Sequence, residues 1–462
     1  MGENEPVTHV VIIGGGPGGY EAALVASRLG ADVTIIERDG WGGSTVLTDC
    51  VPSKTLIATS ELLTEVSTAS ELGVELPREV RADLARVNTR VLELAQAQSD
   101  DIAERLTSAG VRLIQGTARL ETRNSVRVTT DAGEEVLEAR GILVATGAAP
   151  RTLSQAQPDG ERILTWEQIY GLTETPEHLI VVGSGVTGAE FASAYSTMGI
   201  DVTLVSSRDR VLPGEDSDAA KLIEEVFTRH GMTVLGNSRM ESVVREGDDV
   251  IVTLTDGRTI TGSHCLLALG SIPNTGNLGL EEIGVKTDDS GFVTVDRVSR
   301  TSVPGIYSAG DCTGVFMLAS VAAQQGRIAM AHLLGDAVNP LNLNVVASNI
   351  FTSPEIATVG LSEQQIEERG FAVDVALLPL AANARAKMQG IHDGFVKLFA
   401  RQGVGTIVGG VVVAPHASEL IHPIALAVTT SLTADQFAET FTVYPSLSGS
   451  AGEAARHLHR HE

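Results

Sequence analysis

The sequence predicts an α/β protein in which two βαβ domains are joined to a separate C-terminal α+β domain. At 462 residues the chain is too long for one hydrophobic core, so about three domains are expected. Its 43% hydrophobic residues, 48 glycines and 4% aromatic residues are typical of α/β proteins, whose parallel strands are buried on both faces. Two glycine-rich turns, each between an apolar strand and a helical stretch, locate the two βαβ units.

The first βαβ unit begins close to the N-terminus. An apolar strand at 10–13 leads into Gly14-Gly15-Gly16-Pro17-Gly18-Gly19, a helix is expected at about 20–29, and the returning strand ends at Glu37. Gly14 allows a tight turn, Gly16 lets the backbone approach a pyrophosphate, and Gly19 lets the helix pack closely on the strand. Glu37 stands where a carboxylate accepts a hydrogen bond from a ribose hydroxyl. This context predicts a dinucleotide-binding unit of the Rossmann type.

The second unit repeats the pattern with Gly183, Gly185 and Gly188, but its returning strand ends in Ser206-Ser207-Arg208-Asp209-Arg210. A carboxylate at the end of that strand would bind a free 2′-hydroxyl and repel a 2′-phosphate, whereas hydroxyls and guanidiniums suit a phosphate. NADPH is therefore expected as a donor, with NADH as the alternative. It stays open whether Arg208 and Arg210 only neutralise Asp209 on a surface turn.

The remaining parts of the chain give the expected domain limits. Residues 1–150 form the first part of the first nucleotide-binding domain, with a charged, Ala/Leu-rich helical insertion at about 60–110. The second nucleotide-binding domain covers 151–275, and 276–344 return to the first domain as its second part. From 345 to 462 short strands alternate with helices, which predicts the α+β domain.

Charge and composition argue against several classes of protein. The formal net charge of −25 and the absence of any Lys/Arg run make nucleic acid an unexpected partner. No apolar run reaches the roughly 18 residues of a membrane span, and no secretory signal pattern precedes the first strand, so a cytoplasmic protein without a transmembrane segment is expected. Three cysteines are too few and too scattered for a disulfide framework or a zinc site. The His-bearing tail from Arg456 is interpreted as a polar terminus, so no metal is expected.

The motifs follow the order found in the pyridine nucleotide-disulphide oxidoreductases, a family that includes lipoamide dehydrogenase and glutathione reductase. Besides the two glycine turns they are Pro52-Ser53-Lys54, Ala145-Thr146-Gly147, Glu190, Ala268-Leu269-Gly270 with Pro273-Asn274, Gly305-Ile306-Tyr307-Ser308-Ala309-Gly310-Asp311 and Phe351-Thr352-Ser353-Pro354-Glu355-Ile356-Ala357. The chain resembles this family over nearly its whole length. The resemblance implies FAD at the first turn, NADPH or NADH at the second, and a homodimer formed through the C-terminal domain.

The same resemblance assigns roles to individual residues. It implies that Asp311 binds the ribityl and phosphate region of FAD, that Ala319 lies by the flavin ring, and that Gly116 and Ala118 contact the adenine. Lys54 and Glu190 match the family's catalytic pair beside flavin N5, where a cation stabilises the charge of the reduced flavin. Further contacts are expected with FAD from Thr146 and Gly147, and with the nicotinamide nucleotide from Glu190, Ser206, Ser207, Arg208 and Gly270.

Two departures from the family pattern bear on the chemistry. The family places two cysteines five residues apart before its Pro-Ser-Lys, but here Thr45 takes the first position and only Cys50 remains. One sulfur cannot form a disulfide without an outside partner. The family's C-terminal His-Pro…Glu run supplies a general base, and here it is replaced by Tyr444-Pro445 and Gly449. A tyrosine with an ordinary pKa of about 10 is a poor base at pH 7, so both halves of the thiol machinery are absent.

Three roles stay open for Cys50: a charge-transfer donor, a sulfenate-forming thiol or a buried remnant. Cys265 and Cys312 are expected to be small buried hydrophobes rather than replacement thiols. Without a dithiol, electrons must pass directly from reduced flavin to the acceptor, and a quinone suits that step.

An NAD(P)H:quinone oxidoreductase is therefore the predicted function. The chain is also similar to the actinobacterial flavoproteins formerly named lipoamide dehydrogenase A and since interpreted as quinone reductases, which share the missing cysteine. The alternatives are a soluble pyridine nucleotide transhydrogenase, a monothiol peroxidase or oxidase that uses Cys50, and a non-catalytic FAD-binding module.

Overall fold

The computed structural model describes residues 7–76 and 80–459, and the chain divides into two compact units. The first unit contains the chain up to Thr55 together with 88–151 and 270–342. The second contains 56–87, 152–269 and the chain from Leu343 onwards. Two long helices, α3 (Cys50–Thr68) and α4 (Leu84–Ser108), contribute residues to both units.

The first unit is built on a parallel five-stranded sheet. Its strands are β1 (His9–Ile13), β2 (Asp32–Glu37), β3 (Arg112–Gln115), β7 (Gly141–Val144) and β18 (Ile306–Ser308), in the spatial order β18-β7-β1-β2-β3. The central strand β1 is apolar throughout because both of its faces are buried. Val10 and Ile12 pack into one core, and Val11 and Ile13 pack into the core on the opposite face.

Helices cover one face of this sheet and a small antiparallel sheet covers the other. The helices α1 (Pro17–Arg28) and α7 (Ala319–Leu333) share the first core. The opposite core is shared with β4 (Thr117–Thr122), β5 (Ser125–Thr130) and β6 (Gly133–Glu138). The remaining elements of the unit are α2 (Gly43–Leu47), the two-stranded sheet of β8 (Ala148–Pro150) and β17 (Ser271–Pro273), and the 3₁₀ turn Asp311–Thr313.

The second unit holds another parallel sheet in the order β12-β11-β10-β16-β9, formed by β9 (Ile163–Thr165), β10 (His178–Val182), β11 (Asp201–Val205), β12 (Thr233–Leu235) and β16 (His264–Leu267). It carries the helices α5 (Val186–Thr197) and α6 (Ser217–Arg229), the 3₁₀ turn Ile169–Gly171 and the antiparallel strands β13 (Met240–Glu246), β14 (Asp249–Leu254) and β15 (Thr259–Gly262). The strand–turn–helix–strand order of the first unit is thus repeated.

The C-terminal part of the second unit is an antiparallel sheet packed on short helices. The sheet has the order β19-β20-β23-β22-β21, with strands β19 (Ala347–Ile350), β20 (Glu355–Gly360), β21 (Val373–Pro379), β22 (Phe395–Arg401) and β23 (Ile407–Ala414). The helical elements are α8 (Glu363–Arg369), α9 (Ala384–Met388), α10 (Ala417–Leu420), α11 (His422–Thr430), α12 (Ala434–Ala438), α13 (Gly449–His457) and the 3₁₀ turns Leu343–Val345 and Leu380–Ala382. This architecture confirms the predicted α/β class with a C-terminal α+β part.

Candidate functional site

The first glycine turn forms an open backbone cradle between β1 and α1. Gly14 has φ +106°, and a Cβ on Gly19 would lie 1.9 Å from the Gly14 oxygen, so neither position tolerates a side chain. Gly16 is the N-cap of α1, and no side chain among the described residues caps that helix end. The positive end of the helix dipole is therefore not neutralised by a capping side chain, which is the arrangement that binds a diphosphate.

Glu37 lies beside this turn at the end of β2, and its carboxylate is buried. It accepts hydrogen bonds from the backbone nitrogens of Gly15 (2.5 Å), Arg38 (2.7 Å) and Asp39 (2.8 Å). A carboxylate has about four acceptor positions, so one position is left for a ribose hydroxyl. The carboxylate is thus held at the carboxyl end of the strand, next to the diphosphate cradle.

The residues assigned to the adenine end are neighbours of Glu37. The Gly116 nitrogen donates to the Glu37 carbonyl oxygen at 2.9 Å, and a Cβ on Gly116 would lie 2.6 Å from the Thr129 oxygen. Ala118 is buried in β4. The structure therefore brings Glu37, Gly116 and Ala118 together at one edge of the sheet.

Thr146 and Gly147 lie just after the end of β7, the strand that pairs with β1. Gly147 has φ +67°, its carbonyl oxygen accepts from the Asn274 nitrogen at 3.0 Å, and the Asn274 side-chain amide donates to the Thr146 oxygen at 3.1 Å. The sequence predicts no separate role for Asn274 beyond its place in the Pro273-Asn274 motif. Its bonding shows that it fixes the turn after β7.

Asp311 opens a 3₁₀ turn directly after Gly310, whose nitrogen donates to the Gln325 side-chain oxygen at 2.8 Å. Burial, with a further contribution from the charge of Asp49, raises the pKa of Asp311 to about 6. Ala319 is the first residue of α7, which packs so closely on α1 that a Cβ on Gly326 would lie 2.0 Å from the Gly18 oxygen. Both residues are therefore positioned by the helix pair behind the glycine turn.

Asp49 was missed in the sequence. It precedes α3, where its nitrogen donates to the Ser44 oxygen and its carbonyl oxygen accepts from the Ser53 nitrogen, both at 2.8 Å. An acid immediately before a helix is a usual N-cap signal, so the position could have been noticed as a helix start. Its electrostatic effect on Asp311 depends on the fold and has no signal in the sequence.

The predicted redox residues lie on and before α3. Cys50 is half-buried at the first position of the helix, Lys54 stands one turn further on, and Thr45 lies in α2. Glu190 is buried in α5, where its carboxylate accepts from the Phe351 nitrogen at 2.9 Å. Lys54 belongs to the first unit and Glu190 to the second, so the ion pair between them stays a prediction.

The second glycine turn reproduces the geometry of the first. Gly183 has φ +113°, and a Cβ on Gly188 would lie 1.8 Å from the Gly183 oxygen. Gly185 is the N-cap of α5 and has no side-chain cap among the described residues. Gly270, expected to contact the same nucleotide, has φ +85°, and its oxygen accepts from the Arg151 nitrogen at 2.9 Å.

The turn after β11 differs in detail from the expectation. The Ser206 side chain, expected to face a 2′-phosphate, is fully buried; its hydroxyl accepts from the Ser184 hydroxyl at 2.7 Å and bonds to the backbone of Arg208 and Arg210. Ser207 and Arg208 are exposed. Within the described residues, neither Arg208 nor Arg210 forms an ion pair with Asp209. The hydroxyl of Ser206 thus fixes the turn, and Ser207 and Arg208 are the side chains open to a ligand.

The other two cysteines are remote from thiol chemistry. Cys265 in β16 and Cys312 in the 3₁₀ turn are both fully buried, and burial raises the pKa of each thiol above its ordinary value. Among the described residues, no two cysteines are joined by a disulfide. Tyr444, in the run that replaces the family's base, is 85% exposed.

The sequence of the chain matches two family models that together cover most of its length. The sequence model of the pyridine nucleotide-disulphide oxidoreductases matches residues 8–326, and that of their dimerisation domain matches residues 346–455. The chain belongs to the pyridine nucleotide-disulphide oxidoreductase family. Family members bind FAD and NAD(P)H, and the two glycine turns, each followed by a helix whose N-terminus has no side-chain cap among the described residues, fit these groups. The protein is therefore an FAD-dependent oxidoreductase that uses NAD(P)H, as the sequence predicted.

Individual relatives cover the chain almost completely. A protein of Mycobacterium tuberculosis named NAD(P)H dehydrogenase (quinone) is 52% identical over 467 residues, covering 99% of this chain and 95% of the relative. The dihydrolipoyl dehydrogenase of Zymomonas mobilis is 32% identical and covers 96% of each chain. The crystal structure of LpdA from Mycobacterium tuberculosis matches with a TM-score of 0.94 at 52% identity, covering 98% of this chain and 100% of that one.

The described residues contain neither a helix suited to span a membrane nor a cluster of metal-ligating side chains. Between residues 7 and 76 and between 80 and 459, no helix combines the length and apolar character needed to cross a membrane. Within the same ranges, no three metal-ligating side chains gather closely enough to hold an ion. The end of the His-bearing tail, from residue 460, lies outside the described residues.

Proposed function

We propose that this family member is an NAD(P)H:quinone oxidoreductase that reduces its acceptor without a redox disulfide. The observation that carries the proposal is the single sulfur at the start of α3, where Thr45 stands in place of a second cysteine. The other two thiols are buried in strands and turns of the cores. The 52% identical relative named NAD(P)H dehydrogenase (quinone) supports the same acceptor.

The residues of the chain then have separate tasks. When bound, FAD would supply two-electron transfer between the nicotinamide nucleotide and the acceptor. The N-terminus of α1 would hold its diphosphate, and Glu37 would hold its ribose. The Lys54 ammonium would stabilise negative charge beside the ring, and Glu190 would orient the nucleotide.

Cys50 provides the direct test of this proposal. In Cys50→Ser, the kcat for NADPH-driven reduction of benzoquinone is expected to stay within about threefold of the wild-type value, because a serine cannot cycle through sulfur oxidation states. The flavin content of both proteins is measured as the control for folding. A loss of about 100-fold at equal flavin content would instead establish the monothiol mechanism.

We further propose that NADPH is the preferred donor and that the Arg208 guanidinium binds its 2′-phosphate. The guanidinium is exposed at the end of β11 and has no carboxylate partner among the described residues. Arg208→Ala should raise the KM for NADPH about tenfold or more and leave the KM for NADH within about twofold, since a lost charge-assisted hydrogen bond is worth about 1.5–3 kcal/mol. Lys221→Gln, an exposed change on the neighbouring helix α6, is the control. Equal changes in both constants would contradict the assignment.

The wider organisation is proposed on the same basis. The FAD-binding domain comprises 1–150 and 276–344, the NAD(P)-binding domain 151–275 and the dimerisation domain 345–462. The matched dimerisation domain supports a homodimer. A cytoplasmic location suits an enzyme whose described cysteines form no disulfide and whose donor is a nicotinamide nucleotide. The net charge of −25 argues against nucleic acid as a partner.

A further inference from the structure

A buried lysine connects the two parts of the second unit. Lys397 lies in β22 of the C-terminal sheet, and its side chain is only 3% exposed. Its ammonium bonds to three carboxylates, those of Asp216 (2.9 Å), Asp218 (2.7 Å) and Glu363 (2.6 Å). Three partners account for all three donors of the ammonium, so the charge is fully paired despite its burial.

The partners keep this lysine charged. Burial by itself lowers a lysine pKa, but the hydrogen bonds to Asp218, Glu363 and Asp216 outweigh it and raise the pKa of Lys397 above its ordinary value. The ammonium therefore remains a fixed cation at neutral pH. A neutral side chain in its place would leave the buried Asp216 carboxylate without its charge partner.

Two of the three carboxylates belong to the start of α6 in the nucleotide-binding part. Asp216 is the N-cap of that helix and accepts from the backbone nitrogens of Asp218 (3.0 Å) and Ala219 (3.2 Å). At the other end of α6, Arg229 forms an ion pair with Asp393, in the loop before β22. Helix α6 is thus attached to the C-terminal sheet at both ends.

The same helix holds the turn that carries Arg208. The Val211 nitrogen donates to the Glu224 carboxylate of α6 at 3.1 Å. The opposite side of the turn is held by the Asn237 nitrogen, which donates to the Arg208 oxygen at 2.7 Å, and by the Leu212 nitrogen, which donates to the Ser184 oxygen at 2.9 Å. A continuous set of contacts therefore runs from Lys397 through α6 to the turn at the nucleotide site.

We propose that Lys397 is a positioning residue for the nucleotide donor: by fixing the first turn of α6, it holds the 206–212 turn so that Arg208 meets the 2′-phosphate of NADPH. This role rests on the proposed function of Arg208. Lys397 acts only through α6 and makes no contact with substrate. Its loss should therefore weaken NADPH binding more than NADH binding and leave hydride transfer in the bound complex unchanged.

The test is anaerobic reduction of the FAD-loaded enzyme by each nucleotide, followed by stopped-flow absorbance. In Lys397→Met the apparent dissociation constant for NADPH is expected to rise about tenfold, the constant for NADH less than about threefold, and the limiting rate of flavin reduction to change less than about twofold. Lys397→Arg, which keeps the charge, should recover most of the affinity, and Lys221→Gln, exposed on the same helix, should behave as wild type. Equal weakening for both nucleotides, or a fall in the limiting rate alone, would overturn the proposal.

Milder variants cover the case in which Lys397→Met does not fold. Asp218→Asn and Glu363→Gln remove one half-exposed partner each and should shift the NADPH constant in the same direction by about two- to fivefold. No shift in either folded variant would count against the proposal.

Hydrogen exchange of the FAD-loaded, nucleotide-free enzyme separates this proposal from the assignment of Arg208. The amides of Arg208 and Val211 are both bonded in the turn, so they should exchange about tenfold faster in Lys397→Met or in the milder variants. If Arg208→Ala left the two nucleotide constants unchanged, the donor assignment would fall while faster exchange still supported the positioning role. Unchanged exchange in a folded Lys397 variant would refute the positioning role itself.

Discussion

At the scale of the residue, the buried carboxyl of Asp311 in the predicted FAD site lowers the free energy of unfolding at neutral pH. Burial and the nearby charge of Asp49 raise its pKa to about 6, from an ordinary value of 3.8. Because the folded state binds this proton more tightly than the unfolded state, its contribution to stability is present at low pH and is lost as the pH rises through about 6.

Asp311→Asn in the FAD-free protein tests this effect. The free energy of unfolding should rise by about 1–3 kcal/mol at pH 7.5, where the native carboxylate is ionised, and change by less than about 1 kcal/mol at pH 4.5. Urea unfolding at the two pH values measures both, with the exposed Asp289→Asn as the control. An equal effect at the two pH values would contradict the account.

Residue identity in the glycine turns was predictable, but the partners of some polar side chains were not. The requirement for Gly14 and Gly183 follows from backbone geometry that the motif itself imposes. The sequence could not show that Ser206 faces inwards or that Asp49 acts on Asp311, because both depend on how distant segments meet. The pairing of Lys54 with Glu190 stays a prediction for the same reason.

At the scale of the element, a substitution in one glycine turn should impair FAD binding, and a substitution in the other should impair only the reaction with NADPH. Gly19→Ala places a Cβ 1.9 Å from the Gly14 oxygen and is expected to abolish FAD incorporation. Gly188→Ala places one 1.8 Å from the Gly183 oxygen and should leave the flavin bound but slow its anaerobic bleaching by NADPH about 100-fold or more. Gly171→Ala, with nothing within 4 Å, is the control. Flavin loss in Gly188→Ala would show that the turns are not independent.

The βαβ units could be predicted because apolar strands, glycine turns and returning strands have distinct local patterns. Helix α1 begins at Pro17, earlier than the expected start near Tyr20, since a proline fits the first turn of a helix, where its missing N–H is not needed. The small sheets β4–β6 and β13–β15 were not predicted. Their strands are half-exposed and lack the continuous apolar runs of the central parallel strands, and their place is fixed by long-range packing on the parallel sheets.

At the scale of the whole molecule, the exposed C-terminal segment points to an oligomer. Phe441 is fully exposed, and Val443 and Tyr444 are 77% and 85% exposed, which is costly for large apolar side chains in water. We expect a mass of about twice 48.4 kDa by sedimentation at micromolar concentration. Phe441→Asp should shift the equilibrium towards the monomer. A monomeric wild-type enzyme would contradict the proposed homodimer.

The central claim is that electrons pass directly from the reduced flavin to a quinone, without a redox disulfide. It is tested most directly by reducing the FAD-loaded enzyme anaerobically with one equivalent of NADPH and then mixing it, in parallel, with benzoquinone, lipoamide, glutathione disulfide and thio-NAD⁺ while the flavin absorbance is followed. We expect benzoquinone to reoxidise the flavin at least about 100-fold faster than the two disulfides do, because Thr45 takes the place of the second cysteine of a redox disulfide. Benzoquinone should also react faster than thio-NAD⁺. Reoxidation by lipoamide or glutathione disulfide at the rate seen with benzoquinone would contradict the central claim.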